Sequence, residues 1–371
     1  MKRFSNAIWL AAVLAFLSQI AVSAEKKPEW KGKIFKEGEV TVIQNPKEPF
    51  YKDPALTLKE DWSVGGANAE ANASFTEART LAIDEAGNVF VLDSTECVVK
   101  AFDRNGKYVV TFGRKGQGPG ELQYPRNICF NPTTKELVID GPSSNLSFFS
   151  TQGTFLRSLP LKSSMSLRMR IDSHGNYFYE DFTLDPANSI YFTNKCGPDL
   201  KFIARVAQSP AGKLGTSVDP FRAVNYWQID KDDNLVYGYP VDYEICFYSP
   251  ANKIIKKIKR EYVPVEVTDA EKKEESKDVP PQIKLDPSKY HSAFHRFILS
   301  DQGHILVQSW EKAPGGVGYY FDVFDAQGRY ISKIPLKKDP IVWKNGKLYS
   351  IEEDDEGYKV VKKYSVTWVK E

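Results

Sequence analysis

Along most of the chain, hydrophobic and polar positions alternate in short runs broken by glycine-bearing turns, the period-two pattern of half-buried strands. Arg79 to Asp84, a turn at Glu85-Ala86-Gly87-Asn88, Val89 to Asp93, Cys97 to Phe102, a turn at Asp103 to Gly106, and Lys107 to Phe112 read as four strands. The unit then recurs. Arg126 to Asn131, Leu137 to Asp140, Leu146 to Phe149 and Phe155 to Leu159 form a second copy, and Met169 to Asp172 with the His174-Gly175-Asn176 turn opens a third. Tyr226 to Asp230 opens a fourth and Arg296 to Asp301 a fifth. The sixth, from Ile341 to Trp368, stops one strand short.

The missing strand lies at the other end. Leu56 to Gly65 precedes the first copy and matches Lys107 to Gly113 in phase. A unit spacing of roughly 45 residues is that of a four-stranded propeller blade. The predicted fold is therefore all-β, a six-bladed β-propeller closed by an N-terminal strand completing the C-terminal blade. Closure of this kind leaves no long sheet edge exposed.

Phe112-Gly113, Gly116, Gly118, Gly120 and Leu122, followed by Pro125-Arg126, resemble the junction of NHL-type repeats, and Asp84 to Asp93 resembles their core. The later text around His295 to Gly303 and Trp343 to Tyr349 is similar to secreted bacterial six-bladed propellers of unassigned function. That resemblance implies a fold and a binding surface, while activity has to be argued from a site.

The ends and insertions refine this outline. Residues 1–24 carry Lys2 and Arg3, an apolar run from Ala7 to Leu17 and a small-residue Val22-Ser23-Ala24 cut, the three parts of a secretory signal peptide. Secreted or periplasmic location is expected, with no membrane span after cleavage. Residues 25–55 form an arm with one strand, Gly38 to Ile43; 56–371 form the propeller; about 263–289 form a charged insertion with a helix at Thr268 to Ser276. Losing Lys2 and Arg3 brings 50 basic residues to 48, equal to the 48 acidic ones. Such a balance supplies no field for nucleic acid. The four cysteines (Cys97, Cys129, Cys196, Cys246) sit in apolar contexts or far apart, which fits buried thiols better than a disulfide framework or zinc site. A monomer without a cofactor is expected.

The glycine loop at 113–120 is not a phosphate cradle. Pro119 stands where a Walker loop has Lys, and it removes a backbone donor. In a blade the innermost strand starts on the usual ligand face. The strand phase puts Arg79 opposite Asp93, Arg126 opposite Asp140, and Arg296 opposite Trp310, with Gln308 and Glu311 nearby. With Asp181 and Tyr239, these residues are the expected ligand-binding mouth. The guanidinium fork suits carboxylates, and Trp310 and Tyr239 suit stacking on a sugar or aromatic ring. The expected ligand is a glycan, peptide or small carboxylate, and the bland reading of the same pairs is exposed ion pairs closing strand ends. Catalysis is the weaker alternative: the resemblance to propeller lyases and lactonases implies a metal-dependent hydrolase or lyase with a channel metal, which Glu180, Asp181, Asp140 and His295 could converge to hold. The Asp230 to Asn234 run has a calcium-like look but lacks the glycine such a loop needs, and its phase is that of a hairpin turn.

Overall fold

A computed structural model describes residues 29–369 apart from 142–144, 162–167, 184, 186–188, 213–216, 278, 281–282, 317 and 337–339. The signal segment expected at 1–24 lies outside the described residues. Six four-stranded antiparallel units are arranged as blades, the fold expected from the repeats. Blade 1 comprises Ala78–Ile83, Val89–Asp93, Val98–Phe102 and Tyr108–Phe112. Blade 2 comprises Asn127–Asn131, Glu136–Asp140, Asn145–Ser150 and Phe155–Pro160. Blade 3 follows with Met169–Ile171, Tyr177–Phe182, Ser189–Cys196 and Phe202–Gly212. Blade 4 has Tyr226–Ile229, Leu235–Gly238, Glu244–Tyr248 and Ile254–Arg260, and blade 5 has Arg296–Leu299, Ile305–Lys312, Tyr319–Phe324 and Tyr330–Leu336.

Blade 6 is composite. Pro340–Lys344, Lys347–Glu353 and Lys359–Trp368 are joined by Leu56–Gly65, which pairs antiparallel with the last strand so that Lys363 faces Trp62 and Trp368 faces Leu56. Trp62 then reaches into blade 1, where its indole N–H donates to the Arg104 carbonyl at 3.1 Å. A Cβ on Gly106 would come within 2.9 Å of that indole, so the turn needs glycine for the approach as well as for its φ of 84°.

The core is a series of wedges between neighbouring blades. Leu92, Val99 and Phe112 of blade 1 pack with Ile128, Ile139 and Phe149 of blade 2. Phe148 of blade 2 packs with Met169 and Tyr179 of blade 3, and Phe178 of blade 3 with Trp227 and Tyr237 of blade 4. At about 25 cal/mol per Å² of apolar area removed from water, these wedges are the main favourable term.

The inner hairpins of blades 1, 3 and 4 share one local device. Asp84 accepts the Asn88 amide at 2.8 Å and the Asn88 side-chain amide at 2.7 Å. Asp172 with Asn176, and Asp230 with Asn234, repeat both bonds at 2.8–2.9 Å. In blade 4, Asp233 takes the left-handed place that Gly87 and Gly175 fill in blades 1 and 3, with φ 58°. Aspartate tolerates that conformation better than most residues. The Asp230 to Asn234 run is therefore a turn whose Asp230 carboxylate is spent on its own backbone. The glycine loop is equally self-contained: Glu121 accepts from the Gly118 amide and from Arg114 Nε, each at 2.8 Å.

The N-terminal arm differs from the single strand expected. Lys33–Glu37 and Val40–Asn45 form a hairpin, and the second of these pairs parallel with Ile254–Arg260, extending blade 4 to six strands. Asn45, fully buried, explains why the pairing stops there: it accepts from the Tyr330 amide at 2.7 Å and donates to the Gly328 and Lys259 carbonyls. Within the charged insertion, Asp269–Glu275 is helical behind a Thr268–Glu271 capping box, and none of its residues is buried.

Candidate ligand-binding mouth of the channel

All six inner strands run the same way, so their first residues share one face of the disc. The nominated pairs land on that face but are not paired as the phase predicts. A bulge after Ala78 sets Ala78, not Arg79, opposite Asp93. Asp93 is fully buried, and its carboxylate accepts the amides of Thr76, Glu77, Thr95 and Glu96 at 2.7–3.2 Å. Asp140 faces Asn127, which gives it a backbone bond at 2.8 Å and two side-chain bonds at 2.9 and 3.0 Å. Both aspartates hold loops. Arg79 donates to the Arg126 carbonyl at 3.2 Å, and the two arginines share a depression of about 530 Å³ with Lys115 and the exposed Tyr124.

Arg296 faces Gln308 and donates to its Oε1 at 2.8 Å, rather than facing Trp310. Trp310 instead stacks on His291 at 4.4 Å and lines a separate cavity of about 140 Å³ with Arg260 and Lys333. Tyr239 packs against the Phe178–Trp227 wedge, and the Asp181 carboxylate accepts the Phe182 amide. Two positions on a bulge or one register step change which side chains meet, because strand faces alternate.

The residues that do converge were mostly outside the nominated set. Arg168, half-buried, lies over the Tyr226 ring at 4.5 Å and meets Glu180 at 3.4 Å. Glu180, buried in blade 3, also accepts from Asn225 Nδ2 at 2.6 Å and Trp227 Nε1 at 2.9 Å, which ties blade 3 to blade 4 and fixes the arginine. Gln228, two residues from Tyr226 on the same strand face, donates to the Tyr226 hydroxyl at 3.3 Å. It also reaches across to the inner strand of blade 5, donating to the Phe297 carbonyl and accepting the Leu299 amide. Arg170 and Gln228 line the central channel beyond this point, a space of about 240 Å³ touched by the inner strands of all six blades.

Electrostatics set this cluster apart. Burial alone would raise the Tyr226 phenol, but the charges of Arg168, Arg170 and Arg296 and the bond from Gln228 outweigh it and hold the pKa below its ordinary value. His295 is accessible in surface terms yet hemmed in by packed atoms. That crowding, then the Arg296 charge, lowers its imidazole to about 4. A neutral His295 therefore adds no charge at pH 7. The clue in the sequence was the alternation Arg168-Met169-Arg170 and Tyr226-Trp227-Gln228: polar side chains recur at every second position of inner strands whose counterpart in blade 1, Leu81-Ala82-Ile83, is apolar.

Among the described residues, Glu180, Asp181, Asp140 and His295 form no group of metal-ligand spacing. Among the described residues one group has metal-ligand spacing, Asp172, His174 and Asp233, in the hairpin turns at the far ends of the inner strands. Asp233 accepts there from the Ser173 amide at 2.8 Å and from His174 Nδ1 at 2.9 Å, linking blades 3 and 4. The four cysteines are free thiols, and burial pushes Cys129 and Cys246 up to about 12, far from a reactive thiolate.

Residues 78–195 match the DUF5128 family, described as a 6-bladed beta-propeller. Among solved structures, a protein described as exported, from Bacteroides fragilis, is similar at 11% identity and a TM-score of 0.59, covering 88% of this chain and 99% of that one. A DUF4221 family member from Bacteroides vulgatus (11% identity, TM-score 0.49, 85% and 99% coverage) is also similar. So is a gluconolactonase from Xanthomonas campestris, at 13% identity, TM-score 0.48, and 79% and 88% coverage. At 11% identity the likeness to the Bacteroides fragilis protein shows the propeller fold alone. No curated protein matches the sequence. Among the described residues no helix is long and apolar enough to cross a membrane.

Proposed function

We propose that this chain is an extracytoplasmic binding module that takes a carboxylate-bearing ligand, a uronic-acid glycan or a small carboxylate, at the channel mouth formed by blades 3, 4 and 5. One observation carries the reading: Arg168 lies over the Tyr226 ring at 4.5 Å, and its charge acts on that phenol together with those of Arg170 and Arg296. Partly buried guanidiniums bind a planar carboxylate through paired, charge-assisted hydrogen bonds, which gain strength where water is partly excluded. The depression beside Arg79, Lys115 and Arg126 adds positive charge on the same face, so a ligand with several acidic units would be drawn along it. The signal-like residues 1–24 and the NHL-type glycine junction are consistent with an exported propeller.

Isothermal titration with oligogalacturonates and with their methyl esters tests this. The esters keep the shape and lose the charge. The acids should bind, the esters at least about tenfold more weakly, and Arg296→Ala should cost the acids about the same factor, one charge-assisted bond being worth roughly 1.5–3 kcal/mol. Equal binding of acid and ester would refute a carboxylate site.

A further inference from the structure

The axis of the disc carries two cations that no lining carboxylate answers. The inner strands neighbour one another in chain order and blade 6 closes on blade 1, so blades 3 and 6 stand on opposite sides of the axis. Arg170 enters from blade 3 and Lys344 from blade 6, and both line the central space of about 240 Å³. Among the described residues no aspartate or glutamate lines that space. Arg170 Nη1 donates to the Met169 carbonyl at 2.7 Å, and the Cys129 thiol beside it is kept neutral by burial. Lys344 Nζ donates to the Ile83 carbonyl of blade 1 at 2.9 Å and lies over the Phe130 ring of blade 2 at 5.5 Å. Carbonyls and a ring face offer partial charge, and among the described residues neither cation is in an ion pair. Arg260, by contrast, is answered in the core by Asp322 at 2.9 Å.

We propose that the central channel is a binding site for an inorganic oxyanion of the phosphate or sulfate class, held between Arg170 and Lys344. The guanidinium fork takes two oxygens of a tetrahedral anion, and the ammonium takes another as a point charge. One dianion would neutralise both cations and turn their mutual repulsion into a link across the ring. Charge taken out of water is tolerated where it is paired, and the space is far larger than a single water needs. The Thr80 hydroxyl lines the same space and can donate to the ion, whereas Gln228 has its amide committed to Tyr226, Phe297 and Leu299. Acidic groups do act on Lys344 from the turns at the far ends of the inner strands: Asp84, Glu85 and Asp301. Asp84 is bonded to Asn88, and Glu85 is paired with Lys135. Those turns place the anion on the Arg170 side of Lys344, away from the far face. The site is separate from the mouth and does not rest on the carboxylate-binding reading.

The test uses the full chain dialysed free of phosphate and sulfate, with ionic strength held constant by sodium chloride. Titrating in phosphate, and separately sulfate, should raise the melting midpoint along a saturating curve, by about 4 °C at a hundredfold excess over Kd. Lys344→Gln and Arg170→Gln should each lose most of that rise. Selenate soaked into wild-type crystals should give an anomalous peak between the two side chains, a reading that does not depend on either variant folding. A midpoint indifferent to both oxyanions overturns the site. An undiminished rise in both variants, or selenate bound only outside the channel, overturns it as well. Oligogalacturonate is absent from every arm, so this result and that of the mouth titration stand or fall separately.

Discussion

Blades 1 and 2 and blades 3 to 5 present the same raw material on one face of the disc, arginine at the start of an inner strand, and use it differently. Arg79 and Arg126 lie over loops whose aspartates, Asp93 and Asp140, are already taken by backbone amides and Asn127. Their guanidiniums stand in an open depression, where screening makes each charge worth little. Arg168 and Arg296 instead face a tyrosine from the intervening blade and are oriented by Glu180 and Gln308. An arginine becomes part of a site when neighbouring blades restrict its geometry and its solvent, not merely because of its place in the repeat.

Substitution should separate the two regions most sharply in stability. Glu180→Ala leaves the donors of Arg168, Asn225 and Trp227 buried without their acceptor, an expected loss of about 3–5 kcal/mol read from the urea midpoint. Arg79→Ala should change that midpoint by no more than about 0.5 kcal/mol, as exposed substitutions usually do. An equal response would erase the distinction. Asp93→Ala, which strips four amides of one acceptor, comes next at about 2 kcal/mol; a neutral result would return Asp93 to the pool of ligand-binding groups. In binding, Arg126→Ala should weaken oligogalacturonate about twofold or less, against about tenfold for Arg296→Ala.

The last comparison is a control in blade 2, at the opposite end of the second strand from Asp140. The bidentate bond from Arg157, at 2.6 and 2.8 Å, holds the Glu136 carboxyl below its usual range. Because the folded pKa is depressed, the stabilisation is complete above the unfolded value of about 4.3 and is lost as pH falls through the folded one. Arg157 is 41% exposed, so screening limits the contribution to about 1 kcal/mol. Thermal melts between pH 7 and pH 3 should lose that much less in Glu136→Gln than in wild type.

The fold was legible in the sequence because it is written six times: each set of alternating strands, and the Asp-to-Asn turns of blades 1, 3 and 4, repeat a local rule that needs no knowledge of the rest of the chain. The closing strand was legible too, by its phase against Lys107 to Gly113. The site was not. Arg168, Tyr226 and Arg296 come from three blades, and Glu180, which orients the first, sits on a second strand. A single bulge after Ala78 was enough to separate Arg79 from Asp93. The arm's first strand, Lys33–Glu37, was missed for a related reason: every residue of it is exposed, so no buried face marks its phase.

The pairing of Leu56–Gly65 with Lys359–Trp368 also has a temporal meaning. A ribosome delivers the first of these strands early and the second last, so the disc cannot shut while the chain is still being made. Until that last strand emerges, Leu56 and its neighbours wait without their partner. The same seam that closes the finished disc thus forms only when the sixth blade does.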